Sequence, residues 1–133
     1  MSANDPEELP RLFAERANAG DIEGLIALYE DGATLVRADG VPASGAGELR
    51  ESLEGLLAMT PRILARGSRA VRAGDIALMS SSFHMTLGPQ GDNDSGFEGS
   101  SMEVARRQPD GRWLYVIDDP ASASRFGSSP MQT

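Results

Sequence analysis

Residues 76–87 read IALMSSSFHMTL, and their alternation decides the fold. Successive strand side chains point to opposite faces. One face therefore carries Ala77, Met79, Ser81, Phe83, Met85 and Leu87, and the other Ile76, Leu78, Ser80, Ser82, His84 and Thr86. The first face suits a core. The second is mixed rather than charged, which fits a covered surface better than open water and predicts a homodimer through the sheet.

The same period of two runs through the neighbouring segments. Residues 62–72, 97–107 and 112–119 read as further strands, joined by Ala73-Gly74-Asp75, the polar stretch 88–96 and Pro109-Asp110-Gly111. Consecutive long strands with short turns predict an antiparallel meander. Upstream the period is helical. Leu9, Leu12, Phe13 and Ala17 mark a first helix that Gly20 stops, and Asp21 is an N-cap for a second with Ile22, Leu25, Ile26 and Tyr29 on one face. Residues 33–37 and 41–43 form a possible hairpin around Ala38-Asp39-Gly40. Residues 45–59, with Leu49, Leu53, Leu56 and Leu57 on one side, form a third helix that Pro61 ends. The fold class is α+β: a cone-shaped, curved antiparallel sheet wrapped around three N-terminal helices, with a cavity at its open end. The expected organisation is a flexible N-terminus over 1–7, one domain over 8–120 and a loosely docked tail over 121–133.

Composition excludes several chemistries. The chain has 133 residues, a formal net charge of -8, no Cys, one His, and Arg as its only basic residue besides that His. Thiol nucleophiles, thiolate zinc sites, multi-histidine metal centres and lysine Schiff bases are ruled out by residue type. The acidic balance disfavours nucleic acid. No run reaches the ~18 apolar residues of a membrane span, and the opening MSANDPEELP is acidic rather than basic and then apolar. The expectation is a cytoplasmic protein without a membrane partner, metal or cofactor. The spacing from Asp92 to Glu103 hints at a calcium loop, but Gly96 replaces its third ligand and Phe97 stands where the sharp-turn glycine belongs.

Four stretches carry a family likeness: GDIEGLIALYEDGATLV (20–36), SGAGELRESLEGLL (44–57), AGDIALMSSSF (73–83) and RRQPDGRWLYVIDDP (106–120). In that order they resemble the nuclear transport factor 2-like superfamily, which includes ketosteroid isomerase and the SnoaL-like polyketide cyclases. The resemblance covers roughly residues 8–120 and implies the cystatin-like cone. It also implies carboxylates acting beside an apolar substrate. Ketosteroid isomerase combines an aspartate base with an oxyanion hole of Tyr and protonated Asp. Matching its base position gives Arg37, with Asp39 two residues later, and its first-helix tyrosine falls near Phe13. Steroid-type isomerisation is therefore not expected. SnoaL-type cyclases and limonene epoxide hydrolase-like relatives draw acids from the last strands, which points to Asp118 and Asp119.

Strict alternation puts Asp119 with Trp113, Tyr115 and Ile117, and Asp118 with Leu114 and Val116. One of the two acids should face the cavity, and the sequence leaves open which. A carboxylate in an apolar cone has its pKa raised toward the range useful for proton transfer. His84 titrates near neutrality without help and, if it shares the cavity, could orient such an acid, with Asp39 at the mouth. Tyr115, Trp113, Phe13, Phe83 and Met102 are candidate lining residues, and Arg37 a candidate for an anionic group. Glu103, mid-strand among several Arg, reads as a salt-bridge partner. Two functions follow: a cofactor-free acid/base enzyme (isomerase, cyclase or epoxide-opening) on a small, apolar or amphipathic metabolite, or a non-catalytic ligand-binding or dimerisation module.

Overall fold

The computed structural model of the chain describes residues 1–88 and 96–122. A 3₁₀ turn (Pro6–Glu8) leads into α1 (Leu9–Asn18) and α2 (Ile22–Ile26). Then come β1 (Tyr29–Val36), β2 (Pro42–Ser44), α3 (Ala46–Ala58) and the strands β3 (Pro61–Ala73), β4 (Ile76–Leu87), β5 (Phe97–Arg107) and β6 (Trp113–Asp119). The layout is α+β, with the helices packed against one sheet.

The strands form one six-membered sheet in the order β2-β1-β6-β5-β4-β3. From β3 to β6 every neighbour is antiparallel, as alternation and turn chemistry predict. The one parallel contact among the described strands joins β1 to β6 and closes the sheet across the chain's two halves. Helix α1 packs on β3, and α2 lies against α3. Leu9, Leu12, Leu25, Leu28, Leu53 and Met79 fill the space between helices and sheet. Asn18 pins α1 to β3: its amide nitrogen donates to the Ile63 carbonyl (2.8 Å) and its oxygen accepts from the Ile63 N–H (2.7 Å).

Three local readings need correction. Helix α2 stops at Ile26, so Tyr29 opens β1 instead of extending the helical face. The Asp21 cap is as expected, its side chain accepting from the Gly24 N–H (2.9 Å). A three-residue run of good spacing cannot hold a helix whose next residues pair with β6. Second, alternation fails inside β6. Ala105 faces Tyr115, but Val104 faces Ile117, so residue 116 is an extra residue without a partner. That β-bulge reverses the faces of everything after it. Asp118 therefore shares the inner face with Trp113 and Tyr115, while Ile117 points outward and is 43% exposed. Third, Glu103 has no salt-bridge partner among the described residues; it is buried beside two serines, as described below.

The leading residues make defined contacts. Ala3 is buried, its carbonyl accepts from the Trp113 N–H (3.0 Å), and Arg72 reaches both Asp5 and the Trp113 ring. In the tail segment, Ser122 is buried and its hydroxyl donates to the Ser100 carbonyl (3.2 Å). Residues 123–133, and the 89–95 part of the polar stretch, lie outside the described residues.

Candidate active site

The concave side of the sheet and the helices enclose a cavity of about 340 Å³, within the range of small-molecule sites. Its walls are apolar: Phe13 from α1, Leu35 from β1, Leu53 and Leu56 from α3, Ile63 from β3 and Phe83 and Met85 from β4 all contribute. Polar groups gather on one side, where Ser81 of β4, Ser101 and Glu103 of β5, and Tyr115 and Asp118 of β6 meet. All five are buried. The rim lies where Arg37, Ala38 and Met59 are exposed.

Register explains this gathering. Met79, Glu103 and Asp118 are successive partners across β4, β5 and β6, and Ser81 faces Ser101 one step along. Directly opposed residues of antiparallel strands have Cβ atoms roughly 5 Å apart. The two carboxyl groups are thus side by side on one face, 5% and 4% exposed for Asp118 and Glu103. Glu103 accepts from the Ser81 hydroxyl (3.1 Å) and from the Ser101 hydroxyl. Asp118 Oδ2 accepts from the Tyr29 hydroxyl at 2.5 Å. Tyr29 does not line the cavity. It lies behind Asp118, tilted 45° against Tyr115 with ring centroids 5.2 Å apart.

Burial sets the proton chemistry of this group. Asp118 is pushed up to about 7, first by desolvation and next by the neighbouring negative charge of Glu103, with the Tyr29 hydrogen bond opposing both. Desolvation also raises Glu103, and its two serine donors pull the other way. The Tyr29 and Tyr115 hydroxyls are pushed well above their ordinary value by burial and then by Asp118. Both tyrosines therefore keep their protons at neutral pH. Asp118, in contrast, is poised to take or give one.

The other residues singled out from the sequence lie elsewhere. Asp119 is buried on the opposite face, across from Met102, which is itself outward and 43% exposed. His84 also sits on that outer face, its Nδ1 2.9 Å from Glu98 Oε2. Asp39 is exposed beyond the rim. It accepts from Arg37 (2.9 Å) and the Val41 N–H, and the Arg37 hydrogen bond lowers its pKa. Trp113 is buried at the far end under Ala3 and Arg72, away from the cavity. Phe13, Phe83, Tyr115 and Arg37 do line it.

Sequence reasoning missed Tyr29, Ser81 and Ser101 as site residues and assigned Glu103 to an ion pair. The one available signal was in β4 and β5. Ser81 and Glu103 fall on the apolar-facing set of their strands, where a polar residue needs a partner. Among the described residues no group of three or more His, Cys, Asp or Glu side chains is arranged to hold a metal ion, and no helix is long and apolar enough to cross a membrane.

Comparison with known proteins agrees with this architecture. Residues 7–116 match the SnoaL-like domain family. A Nostoc punctiforme protein of unknown function with a cystatin-like fold superposes with a TM-score of 0.74 at 19% identity, over 86% of this chain and 85% of that one. A Streptomyces avermitilis protein provisionally named a dehydratase of the NTF2-like family gives 0.73 at 22% identity, over 85% and 89%. A Shewanella frigidimarina protein provisionally named a ketosteroid isomerase gives 0.69 at 16% identity, over 84% and 90%. At these identities the likeness is one of fold. No curated protein matches the chain. With the family match spanning most of its length and the fold shared by its structural neighbours, the chain belongs to the SnoaL-like domain family.

Proposed function

We propose that this protein performs acid/base chemistry on a small, largely apolar metabolite held in the cone, with Asp118 as the group that transfers the proton. One observation carries the reading: Asp118 is buried in an apolar cavity opposite a second buried carboxyl, a setting that pushes its pKa up to about 7. Such a group is available in both protonation states under ordinary conditions, which is what proton transfer requires. Glu103 keeps the Asp118 pKa high, Tyr29 positions its carboxylate, and Tyr115 presents a hydroxyl-bearing wall. Isomerisation, cyclisation and epoxide opening all use such an acid. Cofactor-free chemistry in a cytoplasmic setting belongs to the same proposal.

The test does not need the natural substrate. The probe 5-nitrobenzisoxazole opens when a base removes its ring C–H proton and the N–O bond breaks, giving a coloured cyanophenolate. A rate that rises with pH through about 7 is expected, with a loss of roughly 100-fold or more in Asp118→Asn. A rate that is unchanged in the variant, or has no inflection near 7, would overturn the catalytic role. Binding without reaction would favour the alternative of a ligand-binding module.

A homodimer through the open sheet face is the second part of this reading. Val71, Leu78, Val104 and Ile117 are successive cross-strand partners from β3 to β6 and form an apolar row on the outer face. Leu78 and Val71 are 56% and 66% exposed in the single chain. Sedimentation of Leu78→Glu against the wild type tests it: a dimer that becomes monomeric is expected, and a wild-type monomer would refute it.

A further inference from the structure

We infer that the cavity selects a ligand whose inserted end is a protonated amine, attached to a small apolar body. This rests on the acid/base reading of the same cavity and narrows its substrate class. The argument begins with charge. Two carboxyl groups, Glu103 and Asp118, are opposed across β5 and β6 and face the same space. The only cationic side chain among the described lining residues is Arg37, which is exposed at the rim and bonded to Asp39. In a poorly solvated site, two neighbouring carboxylates resist ionising together unless a positive charge joins them. Among the described lining residues no cationic side chain stands beside them.

Hydrogen-bond accounting points the same way. The Ser81 and Ser101 hydroxyls both donate to Glu103, and the Tyr29 hydroxyl donates to Asp118. Three of the donors at the polar side are thus already committed, while the carboxylates retain further acceptor sites. An ammonium brings three donors and one positive charge. It meets both needs at once, through charge-assisted hydrogen bonds. A carboxylate or phosphate would bring acceptors and negative charge to a site already rich in both. The remaining walls are aliphatic and aromatic, which suits a hydrocarbon body behind the amine. The net charge of -8 also draws cations toward the protein.

Three probes sharing one ring separate the possibilities: benzylamine, benzyl alcohol and benzoate, titrated calorimetrically at pH 8. Benzylamine is expected to bind at least about tenfold tighter than benzyl alcohol, equivalent to about 1.4 kcal/mol, and benzoate weakest of all. In Glu103→Gln, and in Asp118→Asn, that preference should shrink, with urea denaturation of each variant checking that the fold is intact. Equal affinities for amine and alcohol, a preference for benzoate, or binding of none of the three would overturn the inference. Wild-type protein that still opens 5-nitrobenzisoxazole in that case would leave the acid/base reading standing, so the two failures are distinguishable.

Discussion

The Tyr29 hydroxyl donates a 2.5 Å hydrogen bond to Oδ2 of Asp118, joining the first residue of β1 to the penultimate residue of β6. A donor to the ionised form favours ionisation, so this bond works against the burial that raises Asp118. Tyr29→Phe should move the Asp118 midpoint further up, by roughly one to two units, given ~1.5–3 kcal/mol for a hydrogen bond to a charged group. Glu103→Gln should move it down, because the negative neighbour is removed while a carbonyl remains to accept from Ser81 or Ser101. Carboxyl ¹³C titration of the two variants measures both shifts. Movement of both midpoints in the same direction would contradict the assigned roles.

Stability should fall as pH rises from about 4 to about 7. Asp118 has its pKa lifted from 3.8 to about 7 in the folded chain, so the folded state binds its proton more tightly than the unfolded state does. The stabilising effect is complete below the unfolded value and is lost as pH rises through the folded one. Its size is on the order of a few kcal/mol. Glu103, also raised, adds in the same sense. Asp39 and Asp110 are lowered, by bonds from Arg37 and from the Arg112 N–H, and their contributions are lost only at more acidic pH. Urea denaturation at pH 5 and pH 8 should show a clear gap that narrows in Asp118→Asn. An equal gap in the variant would place the effect elsewhere.

Gly99 holds a position that no side chain can share with Phe83. A Cβ there would lie 2.4 Å from the Phe83 ring, which is one wall of the cavity. Gly99→Ala should cost roughly 1–3 kcal/mol, as overpacking does, and displace the ring. Adding Phe83→Leu should recover most of the loss. A double-mutant cycle by urea denaturation reads the coupling, and simple additivity would show that the ring had room to move.

Thr60 links α3 to β3 with φ of 51°, the only non-glycine residue in the left-handed region among those described. A β-branched side chain is strained there. Gly is the usual occupant just after a helix end. Thr60→Gly should stabilise the chain by about 1 kcal/mol, raising Tm by a few degrees. Because Met59 beside it lines the rim, benzyl alcohol binding should be measured in parallel. Lower stability in the variant would mean that the threonine side chain contributes more than its backbone costs.

The meander was legible because alternation and turn residues coincide: 76–87 and 97–107 have the same bounds in sequence and structure. The site was legible only in part, for two physical reasons. Tyr29 continues the i, i+3, i+4 spacing of Ile22, Leu25 and Ile26, so nothing local marks the point where α2 ends. Its true neighbour, Tyr115, is brought in by the parallel pairing with β6, a long-range contact with no local signature. The inward turn of Asp118 depends on one unpaired residue in a run, WLYVIDD, that contains no glycine or proline to announce a bulge. Glu103 was misassigned because Arg106 and Arg107 are close along the chain, yet they pair with Glu30 and Asp75 instead.

The parallel seam between β1 and β6 also bears on how the protein is made. On a ribosome, β1 emerges early and must wait for nearly the whole chain before its long partner exists, while β5 waits for its second edge. Until β6 inserts between them, both present open hydrogen-bonding edges of the kind that seed aggregation. The last of the described strands to be synthesised also delivers Asp118 to Tyr29. Closing the sheet and placing Asp118 in the cavity are therefore one event, and a nascent chain that stalls short of β6 carries exposed edges and lacks the Tyr29–Asp118 pair.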